Sequence, residues 1–594
     1  VSQPDSTKAE PGDITRGRKF TFNIDGPVFW PSVALILGFV VWTLASTGSV
    51  TATFSTAADW LKENLGWFYI LGVTVFLVFL VWIAVSRFGR IRLGGDDERP
   101  EHSTATWFGM LFAAGIGTIL MFWGVAEPLN HFANPPMADV EAQSTEAARE
   151  ALAFTFYHFG LHTWTIFALP GLAFAYFIYK RKLPARLSSI LAPLIGTRIY
   201  GPIGRLVDVI AVVGTVFGVA VSIGLGTMQI SAGLNRLYGI EESVSVQVLL
   251  IIIVSLIACV SVALGLDKGI KRLSNLNIGA AIALLVFVLL AGPTLYLLRG
   301  TIEAIGVYLS ELPRLALWND SFEENPGWQG GWTVFYWAWT ITWAPFVGIF
   351  VARISRGRTI REFVGGVLVL PVAFSLIWFG IFGMASFRVE QEHGGLVDVV
   401  VDQGDVPGAL FEFLSNFPLA PVMSLFSVII VVIFFTTSMD SSSMVLDMMA
   451  IGDERKSNSV QRVVWAVLTG LVAAILLIGG GEEGLTALQD TITVVGLPFF
   501  VLGFVMMFSL VKGIRDDAAA RPEPRTRQWR PAFTPDALET QESTPAPGYD
   551  ESGEPLPAPV IDDDGNLHIP GGAVIDGDVT VRGELQEEPG ESRG

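Results

Sequence analysis

At 594 residues the chain is long enough for several soluble domains, yet 51% of it is hydrophobic and only 16% charged. A soluble globule carries about 25% charged residues, so with a mean hydropathy of +0.52 most of this chain is excluded from water. The single cysteine, Cys259, excludes intrachain disulfides and a cysteine-based zinc site, and a net charge of −18 argues against a nucleic-acid partner.

Residues 1–27 are polar, and the apolar run after them lacks a small-residue cleavage site, so no cleavable signal is expected. Apolar runs of about 20 residues are long enough to cross a bilayer core as helices. Twelve are expected, at roughly 28–49, 67–88, 105–128, 150–179, 203–234, 246–266, 276–298, 331–352, 362–386, 418–450, 460–480 and 488–513. They make residues 28–513 one all-α polytopic domain.

The loops orient it. Arg87, Arg90 and Arg92 follow span 2, and Lys180, Arg181, Lys182 and Arg186 follow span 4. Lys268, Lys271 and Arg272 lie between spans 6 and 7, Arg353, Arg356, Arg358 and Arg361 between 8 and 9, and Arg455, Lys456 and Arg462 between 10 and 11. The intervening loops are acidic or neutral. Every second loop is therefore basic, which by the positive-inside rule places both termini in the cytoplasm.

Two stretches fall outside the spans. Residues 300–317 carry apolar side chains at helical spacing with few charges, which predicts an interfacial helix on the outer face. Residues 514–594 form an acidic tail rich in Pro, Gly, Asp and Glu, with a balance of −12 from Asp516 onward. Its apolar content is too low for a core, so disorder is expected; only Ala573–Leu585 alternates like a strand.

Chemistry concentrates in four spans. Gly115 and Gly117 in span 3 serve either close helix packing or a break whose freed carbonyls face a cavity. Span 10 holds seven polar residues among the ten of Phe434–Ser443. Its hydroxyls either bond back to their own helix or offer oxygen ligands to a hard cation such as Na⁺. Its carboxylate, Asp440, reads as a hydrogen-bonding group rather than a proton relay. Span 8 has Trp332, Trp337, Trp339 and Trp343 within twelve residues, strung through the span and not confined to its interfaces. They form either a packing stripe or a cage for a quaternary ammonium group. Span 4 adds His158, Phe159, His162, Trp164 and Phe167; its histidines, at i and i+4, bond across helices or, given a third ligand, hold a metal.

The string Phe335–Phe363 (FYWAWTITWAPFVGIFVARISRGRTIREF) resembles the signature of the betaine/carnitine/choline transporter family. Gly115–Pro128, Thr215–Gly226 and Phe434–Ser443 resemble its other marked segments, and the likeness runs from about residue 28 to 513. It implies two inverted five-helix repeats, spans 3–7 and 8–12, preceded by two extra spans. It also implies a homotrimer in the cell's inner (plasma) membrane, with the 300–317 helix near the subunit contacts. The positions matching one Na⁺ site of the family's glycine betaine carriers are Ala113, Ile116 and Phe434 by carbonyl and Thr437 and Ser438 by hydroxyl. At a second site Thr215 and Phe346 match, but Val219 stands where the carriers have threonine.

The implied substrate cage is Phe159, Trp164, Phe167, Trp337, Trp339, Thr340 and Trp343. Betaine carriers have tryptophan at the positions of Phe159 and Thr340 and tyrosine at that of Phe167. Choline carriers have aspartate at the position of Ile119, so a net-cationic substrate is disfavoured here. The reading is a sodium-coupled symporter for a zwitterionic compatible solute: glycine betaine, ectoine or proline. Its partners are that solute, Na⁺ as coupling ion and membrane lipid, with no resident cofactor. The alternatives are a proton-coupled choline or carnitine transporter and a non-transporting membrane sensor. No triad order of catalytic residues is visible, so an enzyme is not expected.

Overall fold

The computed structural model describes residues 24–115, 117–137, 139–264, 267–452 and 457–520, with 560–561, 567–569 and 573–575 of the tail. It divides into two units, Val1–Ala520 and Arg521–Gly594. The first unit is built of helices. α1 (Gly26–Ala45) starts with a proline in its first turn, where the missing N–H would be unpaired anyway, and α2 (Thr47–Val85) follows. Span 3 is two helices, α3 (Thr104–Gly115) and α4 (Thr118–Ala133), with Gly117 extended between them (φ −138°, ψ 178°). The discontinuous reading of the glycine pair is the one the fold adopts.

Span 4 is also interrupted, which its apolar pattern did not show. α5 (Thr145–Phe159) stops at Gly160 and α6 (Leu161–Phe174) resumes. A Cβ on Gly160 would lie 2.4 Å from the Phe156 carbonyl oxygen and 2.9 Å from Tyr308 Oη. The Tyr308 hydroxyl occupies the gap and accepts from the Leu161 N–H at 3.3 Å. After α7 (Ala192–Ile195) come α8 (Pro202–Tyr238), α9 (Val244–Leu264), α10 (Asp267–Ala291) and α11 (Thr294–Leu315). The second half holds α12 (Phe335–Ile354), α13 (Ile360–His393), α14 (Ala409–Leu414), α15 (Ala420–Ile451), α16 (Ser459–Gly480) and α17 (Gly484–Ala520). Eleven helical segments among the described residues are long and apolar enough to cross a membrane. The twelfth expected span, span 3, is divided into pieces of 12 and 16 residues, each too short to cross alone.

Spans 3–7 and 8–12 are the two repeats, and their packing shows the relation between them. α6 packs on α12 as α13 packs on α4; α10 packs on α15 as α17 does on α8; α10 packs on α13 as α17 does on α6. The counterpart pairs α8–α15 and α9–α16 pack on each other. Each contact survives exchange of the two sets of five. Five is odd, so the second set enters from the opposite face and the repeats are inverted.

The basic loops gather on one face. Arg92 donates to the Gly357 carbonyl and Arg361 to that of Ala84, both at 2.9 Å. Lys180 pairs with Asp96 at 2.8 Å, Arg186 with Asp25 at 2.6 Å and Arg181 with Asp517 at 2.7 Å. Asp25 precedes span 1 and Asp517 ends span 12, so both ends of the bundle meet this face, as an even number of spans requires. Arg455, Lys456 and the side chains of Lys268 and Lys271 lie outside the described residues. α17 continues through Ala520, beyond the end expected for span 12, because Asp517 is held by Arg181 and Tyr176.

α11 (Thr294–Leu315) covers the 300–317 stretch up to residue 315. It buries Leu297, Thr301, Ala304 and Tyr308 against α5 and α13, while Leu295, Ile302 and Leu309 remain exposed. In the second unit three short strands among the described residues form an antiparallel sheet. β1 (Val560–Ile561) pairs with β2 (Leu567–Ile569), and β2 with β3 (Ala573–Ile575). β3 falls within the strand-like run, and 576–585 lie outside the described residues.

Candidate functional site

The two helix breaks and α12 enclose a cavity of about 220 Å³ where both repeats meet. Six of the expected cage residues line it: Phe159, Trp164, Phe167, Trp339, Thr340 and Trp343. Trp337 lies off it. Its indole packs against Tyr157 (ring centroids 5.2 Å apart), His158 and His162. One turn of helix separates Trp339 from Trp343, so they share a face, whereas Trp337 points elsewhere.

The aromatic wall is held from behind. The Trp339 indole N–H donates to Ser222 Oγ and that of Trp343 to the Gly218 carbonyl, both at 3.0 Å. Phe159 meets Tyr336 edge-on (5.0 Å) and stacks on Phe379 (4.2 Å). Tyr336, which the sequence reading did not single out, also lines the cavity, and its hydroxyl donates to Glu127 at 2.5 Å. Glu127 is fully buried and also faces His158 Nδ1 at 2.7 Å and His131 Nε2 at 3.3 Å. His158 Nε2 contacts Thr333 Oγ1 at 3.0 Å. The two span-4 histidines therefore diverge: His158 joins this span 3–span 8 network, and His162 faces Thr74 at 3.4 Å. A lone Glu followed by Pro in an apolar run is the only sequence signal of the network, and its partners come from distant segments.

Phe434, Thr437 and Ser438 of α15 also reach the cavity. Thr437 Oγ1 donates to the Ile433 and Phe434 carbonyls at 2.9 and 3.1 Å, which leaves its lone pairs for a cation. Ala113 lies in the last turn of α3, whose carbonyls the break leaves without intrahelical partners. Ile116 lies outside the described residues. Of the second expected ion site, Phe346 lines the cavity, and Thr215 is buried with its hydroxyl unpaired. Val219, one turn on, is apolar and fully buried. Asp440 accepts from Ser261 at 3.3 Å, tying α15 to α9. α10 adds Ser274, Asn277 and Ile278 to the lining, none of them foreseen.

The family model described as BCCT, betaine/carnitine/choline family transporter, matches residues 27–519. The chain belongs to the betaine/carnitine/choline transporter family. It is a multi-pass membrane transporter and not an enzyme. The chain is 54% identical over 569 residues to an ectoine/glycine betaine/proline transporter of Corynebacterium glutamicum, covering 95% of this chain and 92% of that protein. It is 43% identical over 519 residues to a glycine betaine transporter of Acinetobacter baylyi, covering 86% and 78%. With the glycine betaine transporter OpuD of Bacillus subtilis it shares 40% over 490 residues, covering 82% and 94%.

Proposed function

We propose that this family member is a sodium-coupled symporter that takes up a zwitterionic compatible solute: glycine betaine, ectoine or proline. One observation carries the reading. The cavity walls are aromatic and hydroxyl-bearing, and none of the described residues lining them is charged. A net cation such as choline would meet no counter-charge there, whereas a zwitterion carries its own. The solute's cationic end sits on the faces of Trp164, Trp339 and Trp343, each worth about 2 kcal/mol when desolvated. The names of the three relatives all include glycine betaine, which fits a solute of that class.

Na⁺ sits among the Ala113 carbonyl, the Phe434 carbonyl and the hydroxyls of Thr437 and Ser438, adjoining the solute, with the Ile116 carbonyl as the remaining expected ligand. A second Na⁺ at Thr215 and Phe346 lacks the hydroxyl that Val219 replaces. The transporter works as a homotrimer in the plasma membrane, with the basic face and both termini cytoplasmic, and the exposed apolar side of α11 near the subunit contacts. Competition for labelled betaine uptake tests the solute class. Unlabelled ectoine or proline should compete, and choline at the same concentration should not; choline competing best would overturn the reading.

A further inference from the structure

Part of the cavity wall comes from α10, and it carries a buried amide without a hydrogen bond. Asn277 is 1% exposed, and among the described residues neither its Oδ1 nor its Nδ2 has a hydrogen-bond partner. Ser274, Asn277 and Ile278 stand at i, i+3 and i+4 on one face of α10, the face that lines the cavity. The same stripe continues as fully buried Ala281, Leu284 and Val288, while Leu276, Val286 and Leu290 point outward and are exposed. Asn277 and Ser274 are thus the polar end of an otherwise apolar packing stripe. Leaving a buried amide without hydrogen bonds is costly, and bilayer depth supplies no water from the lipid side. Thr437, by contrast, spends its hydroxyl proton on its own helix.

We propose that Asn277 is a solute-binding residue that selects zwitterions bearing an N–H. This rests on the cavity being the solute site. Its Oδ1 accepts from the ring N–H of an ectoine-type cyclic amidinium or from the secondary ammonium of proline. Its Nδ2 is left to donate to a carboxylate. A quaternary ammonium has no N–H and engages aromatic faces alone. The wall is suited to the first kind of solute: Thr340 offers a small side chain beside Trp339 and Trp343, and Asn277 belongs to the same lining. A site built to hydrogen-bond a solute N–H discriminates against one that lacks it, because the protein's own polar group is then left unpaired.

The test uses the full chain, purified and reconstituted in proteoliposomes, with saturation curves for proline, ectoine and glycine betaine. Asn277→Leu, near-isosteric and apolar, should raise the half-saturating concentrations of proline and ectoine by about tenfold, the worth of one hydrogen bond. That of glycine betaine should change by less than about a third of this factor on the same scale. Asn277→Ser, which keeps an acceptor, should shift proline and ectoine in the same direction by less. Both variants should elute from size exclusion as the wild type does. Equal shifts for all three solutes, or none in either variant, overturn the assignment. Trp343→Ala separates this from the underlying reading. If it weakens all three solutes while Asn277→Leu weakens none, the cavity stands and Asn277 has no binding role. If neither variant moves any solute, both readings fall.

Discussion

Trp343 hangs from the backbone of Gly218: its indole N–H donates to that carbonyl at 3.0 Å. One turn along both helices, Trp339 makes the same rung to Ser222 Oγ, also at 3.0 Å, and Ser222 in turn donates to the Gly218 carbonyl at 3.2 Å. The position must be glycine, because a Cβ there would stand 2.4 Å from Thr342 Oγ1. The two rings are therefore fixed before a solute arrives, and ordering them costs nothing at binding.

Removing either ring removes a preorganised face. Trp339→Ala and Trp343→Ala should each raise the half-saturating concentration for uptake by about thirtyfold, the equivalent of one desolvated aromatic contact. Trp343→Phe keeps an aromatic face but loses the rung, so it should fall between the wild type and Trp343→Ala. Unchanged saturation curves in both alanine variants would show that the solute lies elsewhere.

The uncharged cavity sets the charge class. Ile119 lies on the lining, and Ile119→Asp would place a carboxylate among the aromatic rings. Choline uptake should be negligible in the wild type and appear in Ile119→Asp, with betaine uptake falling as its carboxylate is repelled. Saturable choline uptake by the wild type above that of betaine, ectoine and proline would contradict this.

Glu127 ties span 3 to spans 4 and 8 behind the cavity wall. Glu127→Leu would leave the Tyr336 hydroxyl and the His158 Nδ1 without their carboxylate, about 1–3 kcal/mol for each buried group. A lower thermal unfolding midpoint in detergent is expected, together with weaker solute binding because Tyr336 lines the cavity. Glu127→Gln can still accept from Tyr336, so its midpoint should lie closer to that of the wild type. Equal midpoints for the wild type and Glu127→Leu would remove the structural role.

The boundary of the tail matters for truncation. Asp517 bonds Tyr176 in the last turns of span 4 and Arg181 in the loop after it, so ending the chain at 516 would release both. Truncation after Ala520 should leave uptake intact, whereas truncation after Asp516 should lower the yield of folded protein. The removed segment carries most of the tail's negative excess, which an anionic leaflet repels. Loss of transport on truncation after Ala520 would show that the tail takes part in the cycle.

Much of the architecture was open to reading because bilayer depth enforces long apolar runs and alternating loop charge. The breaks were less legible. The paired glycines of span 3 admitted two readings, and the stop at Gly160 depends on Tyr308, which comes from α11. The cage was visible as tryptophans at helical spacing, yet spacing could not separate Trp337 from its neighbours until the helix face was fixed by packing. Glu127 and Tyr336 stayed hidden for a shared reason: each acquires its partners from segments far away in sequence.

The central claim is sodium-driven uptake of a zwitterion, and it is tested most directly by labelled glycine betaine, ectoine and proline uptake into proteoliposomes under an imposed Na⁺ gradient. Each Na⁺ entering down 100 mV releases about 2.3 kcal/mol, enough for roughly fifty-fold accumulation of solute per ion. Accumulation of at least one of the three should require the Na⁺ gradient and vanish in Thr437→Ala combined with Ser438→Ala, with the double variant still folded. Accumulation that ignores Na⁺ and follows a proton gradient instead would contradict the account.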